Sequence, residues 1–185
     1  MKYFLMLCIV ALIHAQYIEE PLEGSYHRDD YMSRWDDVDR DGLNTRMEVL
    51  VKECEPATNI VLSKYNSGGV RVVSGKWICE FSGDTLYNAS DLDVDHFVPL
   101  GEVHRSGGLL WSDSLKRAYA NDTYNHEVLL AVNKWDNRSK GDRDPSEWLP
   151  EINQREYVLR WKRIKKLYNL GYDRKELEFI TEFLK

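Results

Sequence analysis

Apolar positions along this chain fall into short clusters separated by polar, turn-rich stretches. Met47, Leu50, Val51 and Cys54 recur at helical spacing behind Asn44 and Thr45, either of which can cap a helix. Asn66-Ser67-Gly68-Gly69 then breaks the chain. Val70 to Val73 and Lys76 to Phe81 read as two strands around Ser74-Gly75, a hairpin signal. Leu92 to His96 reads as a short strand, with Pro99 stopping it, and Ser112 to Ala120 as a helix. Val128 to Val132 is a second apolar strand, and Asn133 to Lys140 a helix ended by Gly141. After a turn at Asp144 to Pro150, two helices close the chain. Val158, Trp161, Ile164, Leu167 and Tyr168 form the stripe of the first, and Asp173 with Glu176 forms a capping box before the second. Strands followed by helices, without repeats, predict an α+β domain.

The first fifteen residues stand apart. Met1-Lys2 is followed by an apolar run, Tyr3 to Ile13, that is too short to span a bilayer, and Ile13-His14-Ala15 suits cleavage. This is the pattern of a secretory signal peptide, and it predicts a secreted chain with no membrane segment in its mature form. Residues 16–35 read as a loose N-terminal segment and 36–185 as one domain, expected as a monomer. With Cys8 in the leader, Cys54 and Cys79 remain, and an even count in an oxidising compartment predicts a disulfide between them.

Charge narrows the partners. The net charge is −6, so nucleic-acid binding would rest on a local basic surface around Arg105, Lys116, Arg117, Lys134, Arg138, Lys140 and Arg143. Asp37, Asp39, Asp41, Gly42 and Glu48 have the spacing of an EF-hand calcium loop, with carboxylates at alternate positions around one ion. Asn44 stands where that loop usually carries an apolar residue, so an acidic capped turn is the alternative.

The densest chemistry lies between Asp93 and Lys140. Asp95-His96 ends one predicted strand, Asn125 precedes the next, and Asn137-Arg138-Ser139-Lys140 lies on the following helix. His96 suits a general base because neutral imidazole titrates near working pH, so activity should rise with pH through about 6.5. Asp95 and Asn137 offer hard oxygens to Mg²⁺ or Mn²⁺. Asp93 shares a strand face with Asp95 and would support that ligand from behind. Arg138 and Lys140 are candidates for phosphate contact, Lys140 lying three residues beyond Asn137.

The run DVDHFVPL, then YANDTYN, then LLAVNKWDNRSKGDRDP resembles the HNH, or His-Me finger, nucleases. The likeness is strongest to the secreted branch related to the C-terminal domain of GmrSD-type restriction endonucleases, and it extends through WDDVDRDGLNTRMEVL and the last helices. It implies a ββα-metal core over about 92–141, with an added β-hairpin and C-terminal helices. It also implies roles: His96 as base, Asn125 orienting it, and Asp95 with Asn137 holding the metal. The expected function is a secreted, divalent-metal-dependent endonuclease of low sequence specificity acting on DNA, with RNA an open second substrate. The Cys pairs of zinc-knuckle members are missing, so no structural zinc is expected. The competing readings are a non-enzymatic extracellular calcium-binding module on a relic nuclease fold and a hydrolase of another phosphoester.

Overall fold

The computed structural model describes residues 25–64 and 69–185. The leader-like segment, the first part of the loose stretch after it (16–24) and residues 65–68 lie outside the described residues. The architecture is α+β, a single domain with two small sheets and six α-helices among the described residues. A one-turn 3-10 helix, Arg28–Asp30, opens it. Helix α1 (Thr45–Glu53) starts where Asn44 Oδ1 accepts the Met47 amide at 3.1 Å. The first sheet is antiparallel, in the order β1 (Val61–Lys64), β2 (Val70–Ile78), β3 (Thr85–Asn88).

The hairpin expected around Ser74-Gly75 is instead one continuous strand, β2, with a register irregularity between Ser74 and Trp77. Gly75 serves a close approach rather than a turn. A Cβ there would sit 2.7 Å from both Cys54 Sγ and the Trp77 ring, which only glycine avoids. Trp77 in turn donates its indole N–H to the Leu50 carbonyl at 2.8 Å, tying β2 to α1.

The expected Cys54–Cys79 disulfide is absent, and both thiols are free and buried. Cys54 Sγ accepts the Lys76 amide at 3.3 Å, whereas Cys79 Sγ accepts the Asn133 amide at 3.3 Å and donates to Asp136. Each sulfur is thus engaged by a different stretch of backbone.

The second sheet pairs β4 (Leu92–His96) with β5 (Leu129–Asn133), antiparallel, His96 facing Leu129 and Leu92 facing Asn133. Between them run α2 (Leu100–Arg105), not foreseen because Pro99 seemed to stop the chain, and α3 (Asp113–Ala120), capped by Ser112. Proline ends a strand but is tolerated at a helix start. Helix α4 (Lys134–Lys140) follows β5 without a loop and lies against both strands. It ends at Gly141, whose φ is 59°. Nearly every residue of β4 and β5 is buried, so this sheet forms the centre of the core.

Helices α5 (Gln154–Leu167) and α6 (Arg174–Phe183) close the fold. Only half of the predicted capping box forms. Asp173 accepts the Glu176 amide at 2.7 Å, but the Glu176 carboxylate turns inward to Lys165 at 2.6 Å and to the Trp161 indole. Lys165, fully buried, also reaches Glu102 at 2.5 Å, so one ammonium joins α2, α5 and α6. Between two carboxylates its pKa is raised although burial opposes it. No described helix is long and apolar enough to cross a membrane.

Candidate active site

Strand β4 ends at His96, and α4 lies across it. That arrangement gathers Asp95, His96 and Asn137 on one cleft of about 390 Å³. Tyr26, Arg28 and Asp142 complete its polar lining.

His96 is the most constrained side chain of the cleft. Its Nε2 lies 2.9 Å from the Ala120 carbonyl oxygen at the end of α3. A carbonyl only accepts, so Nε2 carries the proton and Nδ1 keeps its lone pair. Trp35 stacks on one side of the ring at 5.3 Å, with planes 13° apart, and Tyr119 stacks at 6.0 Å and 20°. The Tyr119 hydroxyl is itself fixed by donating to the Val98 carbonyl at 2.6 Å. Burial lowers the imidazole pKa from 6.5 to about 3, against the Ala120 hydrogen bond, and the charges of Arg28 and Lys140 push the same way. The transition expected near 6.5 is therefore corrected downward: the ring is neutral throughout the physiological range.

Asp95 is buried, and Lys140 Nζ lies 2.6 Å from its Oδ2. Lys140 is wholly buried and also donates to the His96 carbonyl at 2.9 Å. The expectation that Lys140 meets a substrate phosphate is thus overturned. From α4 its stem points into the core, where removing one member of such a buried pair costs about 3–5 kcal/mol. Desolvation raises the Asp95 pKa and lowers that of Lys140, each shift opposed by the partner's charge. Asn137 donates Nδ2 to Asp93 Oδ2 at 3.2 Å, which orients its amide and leaves Oδ1 as an acceptor. Asp93 therefore supports Asn137 rather than Asp95. Asp95 and Asn137 line the same cleft with hard oxygen donors, the donor type that suits Mg²⁺ or Mn²⁺.

Asn125 is not the residue that orients His96. It sits in the turn before β5, where its Oδ1 accepts the Glu127 amide at 3.0 Å, and the Ala120 carbonyl fills the orienting role. A backbone carbonyl has no residue-type signature, so no sequence signal marked it. Trp35, Tyr119 and Arg28 were missed for a different reason: each is distant in sequence and ordinary in type. His104 is buried, with its Nδ1 3.3 Å from the Tyr31 hydroxyl.

The expected basic surface is largely consumed internally. Arg105 pairs with Asp142 at 2.7 Å, Arg117 with Asp36 at 2.8 Å and Lys134 with Asp91 at 3.1 Å. Lys116 is buried over the Tyr31 ring. Arg138 stays exposed, its guanidinium 5.1 Å from the centre of the exposed Trp135 ring.

The acidic loop is compact. Ligand atoms of Asp37, Asp39 and Asp41 lie within 4.8 Å of one another. Gly42, with φ 94°, donates its amide to Asp37 Oδ2 at 3.1 Å. Burial and the three aspartates raise the Glu48 pKa, burial most. The loop is tied to the cleft through Asn121, whose Oδ1 accepts both the Asp36 amide and the Thr45 hydroxyl at 3.0 Å.

The chain is 34% identical over 143 residues to an uncharacterized secreted protein of Arthroderma benhamiae. The likeness covers 76% of this chain and 66% of that relative's length. The protein is secreted, as the leader-like N-terminus leads one to expect and as that relative is named. No protein-family model matches the chain, and no solved structure matches it.

Proposed function

We propose that the protein is a secreted, divalent-metal-dependent endonuclease that hydrolyses phosphodiester bonds of DNA, and of RNA as a second substrate, with low sequence specificity. One observation carries the reading. His96 is locked as the tautomer whose Nδ1 can accept a proton, on the same cleft as the oxygens of Asp95 and Asn137. On this reading β4, β5 and α4 are the ββα-metal core.

His96 Nδ1 takes a proton from water as the water oxygen attacks phosphorus. Asp95 and Asn137 would hold Mg²⁺ or Mn²⁺, and Asp93 orients the Asn137 amide. When bound, the cation supplies countercharge to the phosphate and the departing oxygen. Trp35, Tyr119 and the Ala120 carbonyl hold the imidazole so that little reorganisation accompanies proton transfer.

The test is incubation of purified protein with plasmid DNA and with RNA, in Mg²⁺ and in EDTA. Cleavage should need the cation, and His96→Ala should lower it by roughly 10²-fold or more. Wild-type rates from a folded His96→Ala protein would overturn the mechanism.

The convergence of Asp37, Asp39 and Asp41 favours a second role, a calcium-binding module. It is compatible with the first as a structural ion. It replaces the first if the purified protein binds Ca²⁺ and cleaves neither polymer.

A further inference from the structure

The cleft that holds Asp95, His96 and Asn137 is poor in available positive charge. Asp142 lines it too, and its carboxylate is paired with Arg105. Lys140 lies behind Asp95 with no solvent exposure. A phosphodiester carries a full negative charge and would enter a site edged by carboxylates. A cation of the chain facing it there would add to the affinity, since phosphate contacts supply most of the affinity for a nucleic-acid strand.

Arg28 is placed to do so. It stands on the one-turn helix Arg28–Asp30, is exposed, and lines the same cleft. Its contacts are weak or neutral: Nη2 lies 3.5 Å from the Met32 sulfur, and the Tyr26 phenol adjoins it. Among the described residues it forms no ion pair, in contrast to Arg105, Arg117, Lys134 and Lys140. An arginine so placed leaves its fork of N–H donors for an oxyanion.

We propose that Arg28 is a phosphate-binding residue of this cleft, pairing its guanidinium with the non-bridging oxygens of a phosphodiester in a nucleic-acid strand. The chemistry of the bound strand rests on the nuclease reading, but the contact itself is with the diester anion and is measurable without turnover.

The experiment compares wild type with Arg28→Ala, Arg28→Gln and Arg28→Lys. Binding of a short fluorescent single-stranded oligonucleotide is measured in EDTA at several salt concentrations, and cleavage of the same strand is measured with Mg²⁺. Circular dichroism and the melting temperature check that each variant folds. Loss of the guanidinium should weaken binding about tenfold at low salt and lower the salt-dependence slope by about one. Arg28→Lys should retain the slope and recover part of the affinity. With cleavage, kcat/KM should fall at least as far as affinity does. Equal affinity and equal slope for wild type and Arg28→Ala would overturn the assignment, as would failure of wild type to bind the strand. Arg28-dependent binding without any cleavage would keep the assignment and remove the nuclease reading instead.

Discussion

Trp35 lies flat against His96, ring centroids 5.3 Å apart and planes 13° from parallel. The tryptophan precedes the acidic loop by two residues and the histidine ends β4, so this stack joins the N-terminal segment to the candidate base. Trp35→Ala should free one face of the imidazole and admit water. Stacked aromatic pairs are worth about 0.5–1.5 kcal/mol, so kcat/KM should fall roughly tenfold and Trp35→Phe should restore most of it. Steady-state cleavage by the three proteins decides. An unchanged Trp35→Ala rate would mean that Ala120 and Tyr119 hold the ring unaided.

His96 should stay neutral far below the ordinary histidine range. Its pKa in the folded protein is lowered to about 3, against 6.5 for a free side chain. Between those values the unfolded chain binds a proton that the folded chain refuses. Stability is therefore greatest above about 6.5 and declines as pH falls from there toward 3. Cleavage should accordingly show no loss attributable to the base between pH 8 and about 5. Following the His96 ring resonance by NMR checks this; a titration centred near 6.5 would contradict the buried, carbonyl-bound ring.

Calcium should raise the melting temperature through the Asp37–Glu48 loop, by mass action on the folded state. Asp39→Ala, made with His96 intact, should lose most of that gain, because Asp37, Asp39 and Asp41 converge on one point. Differential scanning calorimetry with and without Ca²⁺ supplies the comparison. A gain equal to wild type would mean that the ion binds elsewhere.

Three Asn-X-Ser/Thr sequons, at Asn88, Asn121 and Asn137, should differ sharply in glycan occupancy in a eukaryotic secretory host. Asn88 is exposed at the end of β3. Asn121 is buried, its amide nitrogen donating to the Arg117 carbonyl at 3.1 Å while its oxygen accepts two bonds. Asn137 is half-buried and bonded to Asp93. Glycopeptide mass spectrometry of active secreted protein should find the glycan at Asn88 and bare asparagine at the other two. A glycan at Asn137 in active material would remove it as a metal ligand.

Several elements could be read from the residues alone. The apolar runs of β4 and β5, the Asn133 cap and Gly141 after Lys140 place two strands and a helix in order, because strand alternation, capping and left-handed glycine are local chemistry. The acidic loop was legible for the same reason: its spacing lies within twelve consecutive residues. What tertiary structure alone decided is which atoms those elements bring together. Gly75 signals a turn in sequence, but in the fold it makes room for Cys54 and Trp77 inside a continuous strand. Two cysteines imply a bridge until packing carries their sulfurs to different neighbours. Lys140 looks like a surface cation until α4 turns its stem toward Asp95, and Arg28, in a segment with no period, reaches the cleft that Lys140 does not. Periodicity and capping act over one or two turns of chain. Burial, ion pairing and ring stacking are settled between residues tens of positions apart, where no local rule applies.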